Sequence, residues 1–155
     1  GDALAVCLLR CKNFSDQDFA RFHPGGALGK RLSLRLSELV CDKSAPFVLS
    51  GDLISQVIIE ISNKRLGATA VIDNEKIKGI ITDGDLRRML EKNSDISNLI
   101  ALDIMGISPK IVSPDELAKT ALDIMEENNI SQLIVLDGEE YKGIIHIHDI
   151  IKEGI

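Results

Sequence analysis

LGATAVIDNEKIKGIITDGDL, at residues 66–86, sets the architecture, because the chain contains a second version of it. A shift of 64 residues places this stretch on residues 130–150, ISQLIVLDGEEYKGIIHIHDI, without a gap and with eight identities in 21 pairs. Average residue usage would give only about one or two identities by chance. A repeat this long, present in two copies, predicts two half-domains packed on each other rather than a solenoid.

Both copies predict the same order of elements. Each opens on a short extended piece, followed by an amphipathic helix and a hairpin of two strands. A final helix begins near Asp85 and near Asp149. The predicted fold class is therefore mixed α/β (α+β), with the order β-α-β-β-α occurring twice. The predicted strands cover residues 47–49, 68–72 and 77–82 in the first copy, and 111–112, 132–136 and 141–147 in the second.

Residues 1–31 lie outside the repeat and have a helical pattern of their own. Ser15 and Asp18 have the spacing of a capping box, and the run His23-Pro24-Gly25-Gly26 then ends the helix. We interpret residues 1–31 as the end of a preceding domain with its connector, 32–95 as the first repeat and 96–155 as the second. Because the chain opens within a helical pattern, we expect it to be part of a longer protein.

Composition excludes several classes of protein. With 45% hydrophobic and 27% charged residues, the chain is too apolar to be disordered. Its apolar runs are far shorter than the ~20 residues that a membrane span needs. The net charge of −6 and the 3% aromatic content argue against binding of nucleic acid. No secretory signal pattern occurs, so we expect a cytoplasmic protein.

Three cysteines, Cys7, Cys11 and Cys41, form no framework of spacings, so we expect reduced thiols. Cys7 and Cys11 are four residues apart and would share a helix face, which could suit a metal. Because no second thiol pair or nearby histidine completes such a site, we interpret them as buried core thiols.

The run Thr82-Asp83-Gly84-Asp85 follows a predicted strand and opens a predicted helix. It has the pattern of a capping box, with Thr82 as N-cap. The same geometry suits a ligand, because a helix N-terminus attracts anions and a carboxylate there can accept both hydroxyls of a ribose. The second copy keeps the acid as Asp149 but has His146 in place of the threonine. Both interpretations stay open.

His146 and His148 are two residues apart, so their side chains would share one face of a strand. Such a pair could hold a metal, line a polar pocket or be purely structural. No third ligand with suitable spacing is evident, so we predict no metal site. Gly67-Ala68-Thr69, at the start of a strand, is small enough for a ligand to approach the backbone, although a tight helix-to-strand junction explains it equally well.

Two β-α-β-β-α copies, each closing on Gly-Ile-Ile-x-x-x-Asp, resemble a pair of CBS (cystathionine-β-synthase) domains. Residues 1–6 (GDALAV), 19–30 (FARFHPGGALGK) and 143–149 (GIIHIHD) together resemble the C-terminal half of bacterial arabinose-5-phosphate isomerases. In that family a sugar-isomerase (SIS) domain precedes the CBS pair. The family interconverts ribulose 5-phosphate and arabinose 5-phosphate and feeds Kdo synthesis for lipopolysaccharide.

The resemblance implies that residues 1–31 are the end of the SIS domain. It also implies that His23 is a catalytic residue, but only in the intact enzyme. We expect this chain by itself not to be an isomerase, because its first 31 residues offer no Gly- or Ser-rich loop for a sugar phosphate. An acid/base pair for the sugar carbons is not evident either.

The role that the resemblance implies for the chain itself is regulatory, with a nucleotide or nucleotide sugar bound between the repeats. CMP-Kdo and an adenine nucleotide are the two ligand hypotheses, and no cofactor is required. We expect Asp85 and Asp149 to meet this ligand in one shared cleft. The predicted contact residues are Thr82, Asp85, His146, His148, Asp149, Gly67, Ala68 and Thr69.

The alternative interpretation is an oligomerisation module without a ligand. CBS pairs often stack face to face, so the resemblance implies a homo-oligomer, a dimer of CBS pairs and a tetramer in the intact enzyme. Apolar surface on the outer faces of the helices after Asp85 and Asp149 would favour this interpretation. An independent enzyme has little support, because no nucleophile–base set or metal cluster appears in the sequence.

Overall fold

The computed structural model describes residues 7, 10–12, 15, 18, 26–40, 45–92 and 95–155, and it confirms the β-α-β-β-α order in both repeats. Helix α1 (Ala27–Ser33) and a 3-10 turn (Leu36–Glu38) come first. The first repeat contains β1 (Phe47–Val48), α2 (Ile54–Lys64), β2 (Ala68–Asp73), β3 (Lys76–Thr82) and α3 (Asp83–Lys92). After the short α4 (Ala101–Ile104), the second contains β4 (Ile111–Val112), α5 (Ala118–Asn128), β5 (Gln132–Asp137), β6 (Glu140–His146) and α6 (Ile147–Lys152).

Each repeat forms a three-stranded mixed sheet, in the orders β1-β2-β3 and β4-β5-β6. The first strand is parallel to the second, and the second is antiparallel to the third. In both hairpins the register shifts directly after the shared valine, Val71 or Val135. The duplicated sequence has therefore produced a duplicated backbone, including this irregularity.

Helices α2 and α5 cover the sheets with their apolar faces. Ile54, Val57 and Ile61 recur at helical spacing and are buried, as the sequence pattern predicts. Both helices end at a residue in the left-handed conformation, Arg65 (φ 58°) and Asn129 (φ 53°), which turns the chain into the following strand. The corresponding buried residues of α5 are Ala118, Ala121, Leu122 and Met125.

In each repeat, a segment in front of the first strand packs on the other repeat. These two segments, residues 34–40 before β1 and residues 99–106 before β4, are called the crossing segments. Leu36 precedes β1 but is fully buried in the core of the second repeat, and Ala101, which precedes β4, has the mirrored position in the core of the first. The Leu36 amide donates to the Glu116 carbonyl at 3.0 Å, and the Ala101 amide donates to the Asp52 carbonyl at 2.8 Å. The core of each repeat is therefore completed by the crossing segment that precedes the first strand of the other repeat.

The two sheets meet through a third apolar cluster. It contains Ala68 and Ala70 of β2, Ile134 of β5 and Ile144 of β6. The two alanines are small enough to let the isoleucines of the second sheet approach the β2 backbone. This contact fixes how the ends of the two sheets face each other.

In both repeats the glycine of the Gly-Ile-Ile motif, Gly79 or Gly143, lacks a side chain and so allows a crossing segment to pack closely against the strand. A Cβ at Gly79 would lie 2.5 Å from the carbonyl oxygen of Gly106. The approach is this close because Ile80 and Gly106 exchange two backbone hydrogen bonds, at 3.0 and 2.8 Å. At Gly143, which has φ +144°, a Cβ would lie 2.8 Å from Val40 Cγ1. Any larger residue would push the crossing segment away.

Some N-terminal predictions fall on described residues. The capping box is confirmed, because the Ser15 amide donates to Asp18 Oδ2 at 2.9 Å and the Asp18 amide donates to Ser15 Oγ at 3.2 Å. The prediction of buried core thiols is wrong for Cys7 and Cys11, which are free and exposed. The buried clusters among the described residues are built from the repeats and their leading segments.

His23 and Cys41 lie outside the described residues, so their roles stay predictions. The strand predicted for residues 141–147 ends one residue early, at His146, because the imidazole of that residue caps α6. None of the helices formed by the described residues has the length and apolar character that a membrane crossing requires.

The crossed packing predicts that Leu36→Ala destabilises the core of the second repeat. Although Leu36 belongs to the first repeat in sequence, truncation of its side chain leaves a cavity in the core of the second, and we expect the free energy of unfolding to fall by about 2–5 kcal/mol. Leu32→Ala, at a residue that is 38% exposed, is the matched control and should change it by no more than about 0.5 kcal/mol. Urea unfolding measures both; equal effects of the two substitutions would contradict the crossed packing.

Candidate functional site

A cleft of about 320 Å³ lies where the two repeats meet, and we call it the histidine cleft. One wall comes from the first repeat, at the entry to β2 and the start of α3. The other wall comes from the end of β6 and from α6. The lining residues are Arg65, Leu66, Gly67, Asp83, His146, His148, Asp149 and Lys152.

Gly67 is held at the entrance of β2 by contacts from both repeats. Its carbonyl accepts a hydrogen bond from the Asp83 amide at 3.0 Å, and the neighbouring Leu66 carbonyl accepts one from Gln132 Nε2 at 3.2 Å. A Cβ at Gly67 would lie 3.2 Å from Gln132 Nε2 and 3.3 Å from Asp83 Oδ2, and the backbone has φ +65°. Space and conformation therefore both require glycine here.

The two histidines of the cleft form one hydrogen-bonded unit. Nδ1 of His146 accepts a hydrogen bond from the His148 amide at 3.1 Å, so in the neutral imidazole the proton is on Nε2. The ring centroids lie 4.9 Å apart. Burial lowers the pKa of His146, and the nearby His148 and Lys152 lower it further, while Asp149 acts in the opposite direction. At neutral pH the imidazole of His146 is therefore uncharged, and its Nε2–H group can donate a hydrogen bond.

Asp149 is the carboxylate of the cleft, and it is partly open to solvent. Its side chain is 33% exposed, and Lys152 Nζ lies 3.6 Å from Oδ1. Arg65 and Lys152 supply positive charge, and Asp83 supplies a second acid. The cleft thus combines cationic groups, a neutral imidazole donor and a carboxylate acceptor, which suits a ligand that carries both hydroxyls and negative charge.

Thr82 and Asp85 lie elsewhere, and the capping box predicted for them is confirmed. The Thr82 amide and hydroxyl donate to Asp85 Oδ2 at 2.9 and 2.6 Å, and the Asp85 amide donates to Thr82 Oγ1 at 3.3 Å. Partial burial would raise the pKa of Asp85, but the hydrogen bonds from Thr82 and Arg88 outweigh it and lower that pKa. Asp85 lines a separate hollow of about 200 Å³ with Met89 and Asp103.

The structure therefore brings together only some of the predicted contact residues. Gly67, His146, His148 and Asp149 share the histidine cleft, but the expectation that Asp85 and Asp149 share one cleft is wrong. The prediction for Ala68 and Thr69 is also corrected, because both are fully buried within β2 and offer no surface to a ligand. The two faces of that strand are covered, one of them by the sheet of the other repeat.

The two histidines also differ from prediction in their setting. They meet across the junction of β6 and α6, not along one face of a strand. Among the described residues, no group of three or more His, Cys, Asp or Glu side chains is arranged to hold a metal ion.

Sequence reasoning missed three charged residues of the cleft, namely Arg65, Asp83 and Lys152. The spacing of Lys152, three residues after Asp149 on a helix, was the available signal.

Sequence reasoning also missed a second cavity, of about 940 Å³, beside the turns of the two hairpins. Phe47, Glu60 and Tyr141 are among its lining residues. The Tyr141 hydroxyl donates to the Pro46 carbonyl at 2.7 Å, and burial together with the Glu60 charge raises the pKa of Tyr141.

The electrostatics of His146 give a titration prediction. We expect its imidazole to titrate below the ordinary value, and Lys152→Gln to raise the pKa because a positive neighbour is removed. Asp149→Asn should lower the pKa further, which makes the two variants controls for each other. Histidine ring signals followed by NMR against pH measure this, and shifts in the same direction would contradict the geometry.

The same shift has a consequence for stability. A histidine whose pKa is lower in the folded state binds protons more readily when unfolded, so folding stability rises with pH across this range. His146 should therefore contribute stability above its unfolded pKa of about 6.5, and that contribution is lost as the pH falls through the folded pKa.

Comparison with known proteins agrees with this architecture. The CBS domain family matches residues 36–92 and 100–155. A CBS domain protein from Pyrobaculum aerophilum, solved in complex with AMP, has a TM-score of 0.67 and 22% sequence identity, and the match covers 75% of this chain and 89% of that one.

Two curated relatives cover the chain almost completely. It is 41% identical over 157 residues to the arabinose 5-phosphate isomerase KdsD of Yersinia pestis, covering 100% of this chain and 48% of the relative. It is 46% identical over 154 residues to the KdsD of Francisella tularensis, covering 98% of this chain and 47% of the relative. The chain spans about half the length of these relatives. It therefore belongs to the CBS domain family as a tandem pair, homologous along its length to part of KdsD arabinose 5-phosphate isomerases.

Proposed function

We propose that this chain is the regulatory part of an arabinose-5-phosphate isomerase, and that a nucleotide or nucleotide sugar binds in its histidine cleft. The observation that carries the proposal is that both repeats build this cleft, with Gly67 from one and His146, His148 and Asp149 from the other. A ligand there would contact both repeats at once.

The side chains of the cleft match the chemistry of such a ligand. Arg65 and Lys152 would neutralise a phosphate or carboxylate, and Nε2 of His146 would donate a hydrogen bond to it. Asp149 would accept the hydroxyls of a ribose. Gly67, which has no side chain, leaves the backbone open to the flat part of the ligand. CMP-Kdo carries all of these groups, and an adenine nucleotide is the alternative, in line with AMP in the Pyrobaculum relative.

The link to an attached domain would run through α1. Lys30 of α1 forms an ion pair at 2.7 Å with Glu153, the residue that follows α6, and α6 carries His148 and Asp149. The end of α1 is also attached to the second repeat, because the carbonyl of Leu34, the residue after α1, accepts a hydrogen bond from the Ala118 amide at 2.8 Å. A ligand that favours one position of α6 would therefore favour one position of the chain that leads into residues 1–31.

The roles in the longer protein follow from the homology and are part of this proposal. Residues 1–31 would be the end of the SIS domain, 32–95 the first CBS repeat and 96–155 the second. His23 would contribute to the isomerisation of ribulose 5-phosphate only when the remainder of the enzyme is present. The chain alone would bind ligand without turnover, in the cytoplasm where sugar phosphates are made.

Calorimetric titration with CMP-Kdo, AMP and ATP tests the binding proposal. We expect saturable binding of at least one of them, and Lys152→Ala should weaken it about tenfold, because a hydrogen bond to a charged group contributes about 1.5–3 kcal/mol. Lys110→Ala, at an exposed lysine outside the cleft, is the control and should leave the affinity unchanged. No heat with any of the three ligands would refute the regulatory function.

A second candidate function is oligomerisation, and a specific surface supports it. Leu90 of α3 is 55% exposed and Ile151 of α6 is 50% exposed, so each terminal helix presents an apolar side chain to solvent. These are the helices whose outer faces the sequence singled out. Burial of the two side chains between copies would remove apolar surface from water.

Sedimentation velocity tests this second candidate. We expect the chain to form dimers at micromolar concentration, and the double substitution Leu90→Glu with Ile151→Glu to shift it to monomers. Ile107→Ser, at a residue that is 77% exposed and lies outside both helices, is the matched control and should leave the dimer intact. A monomeric chain at all concentrations would exclude this function.

A further inference from the structure

We infer a second small-molecule site in this protein, for an organic cation with an apolar body, in the cavity of about 940 Å³ beside the hairpin turns. We call it the aromatic cavity, because Phe47 and Tyr141 line it together with Glu60 and Lys64 of α2. It lies at the start of β6, whereas the histidine cleft lies at the end of that strand, and the two have no lining residue in common. The inference is therefore independent of the proposed nucleotide site.

The aromatic cavity takes one ring from each repeat. Phe47 belongs to β1 and Tyr141 to β6, and among the described residues no other Phe, Tyr or Trp side chain occurs. The Tyr141 hydroxyl donates to the Pro46 carbonyl at 2.7 Å, which holds β6 against the residue directly before Phe47. Phe47 is nevertheless 53% exposed. A ligand in the cavity would cover this ring, and the removal of its apolar surface from water would favour binding.

Glu60 supplies negative charge next to these rings. Burial raises the pKa of Tyr141 and the charge of Glu60 raises it further, so the carboxylate lies close enough to act on the ring hydroxyl. Glu60 forms no ion pair with any residue that the structure describes. A cation in the cavity would meet both the carboxylate and the ring faces, and each of them attracts positive charge.

The charged side chains of the hairpins do not oppose a cation. Glu139 lies 3.5 Å from Lys76, and Glu140 lies 2.7 Å from Lys142, so these acids and lysines balance one another. Glu75, in the first hairpin turn, adds a further carboxylate to the wall. The hairpins therefore bring no excess of positive charge to the aromatic cavity.

The internal repeat supplies a comparison within the same chain. A shift of 64 residues relates Phe47, Tyr141 and Glu60 to three isoleucines, which are Ile111, Ile77 and Ile124 respectively. Two of these isoleucines line a hollow of about 380 Å³, which is the equivalent of the aromatic cavity. The two rings and the helix carboxylate thus occur together in the larger of two equivalent places, and their chemistry is absent from the smaller one.

Tyrosine emission reads this cavity directly, because Tyr141 is the single tyrosine of the chain and there is no tryptophan. The probe is phenethylamine, a phenyl ring with a cationic amine, titrated into the whole chain at neutral pH. The matched probe is 3-phenylpropanoate, which joins the same ring to a carboxylate. We expect phenethylamine to change the emission saturably in the millimolar range, and 3-phenylpropanoate to bind about fivefold more weakly or not at all.

Substitutions that keep Tyr141 test the roles of the walls. Glu60→Gln should weaken phenethylamine binding about fivefold, and Phe47→Leu, which keeps an apolar side chain, about threefold. Lys64→Gln should leave the affinity unchanged or raise it, because it removes a positive charge one helical turn from Glu60. Ile111→Ala, in the equivalent hollow, is the control and should leave the affinity unchanged.

Three results would overturn the inference. They are emission that does not saturate with phenethylamine, equal affinities for the two probes, and binding that is weakened by Lys64→Gln but not by Glu60→Gln. Thermal unfolding of each variant distinguishes a lost site from a lost fold. None of these results bears on the nucleotide proposal, because no nucleotide is used and the two sites have separate walls.

Discussion

The contact between the two sheets is the constraint on which the site depends. Ala68 and Ala70 of β2 lie against Ile134 and Ile144, and this small apolar cluster brings the start of β2 to the end of β6. Gly67 directly precedes β2, so it is carried to the same place. One repeat alone has no histidine cleft, because each wall of the cleft belongs to a different repeat. A ligand bound in this cleft, as proposed, would therefore couple its binding to the packing of the two repeats.

The crossing segments hold this packing in place. Leu36 and Ala101 are fully buried in cores to which the order of the sequence would not assign them, and Gly79 and Gly143 leave the space that the segments occupy. Sliding of one repeat over the other would open both cores. This packing favours small rearrangements of the repeats over large ones, and in the proposed regulation the Lys30–Glu153 ion pair would carry such a movement to α1.

Much of the fold could be predicted from the sequence, because the duplication doubled every local signal. Helical spacing of apolar residues marked α2 and α5, and the turn residues at 73–74 and 137–138 marked both hairpins. The crossed packing could not be predicted, since a buried leucine in a leading segment looks the same whichever core receives it. The exposure of Cys7 and Cys11 could not be predicted either, because helical spacing of small apolar residues does not show whether another part of the protein packs on them.

The candidate site was predictable in its chemistry but not in its grouping. His146, His148, Asp149 and Gly67 were predicted as contact residues, and the structure gathers these four into one cleft. Asp85 looked equivalent to Asp149 because the repeat makes them equivalent in sequence; the hydrogen bonds of Arg88 and Thr82 that distinguish it exist only in three dimensions. The cavity beside Phe47 and Tyr141 was invisible for the same reason, since it is formed by the tertiary packing of hairpin turns.

A crystal structure of the chain grown with CMP-Kdo, and another grown with AMP, would test the central claim most directly. The account predicts ligand density in the cleft between the two repeats, with the ribose hydroxyls on the Asp149 carboxylate and the anionic group near Arg65 and Lys152. Ligand bound instead in the larger cavity beside Phe47 and Tyr141, or on the Asp85 carboxylate, would contradict it.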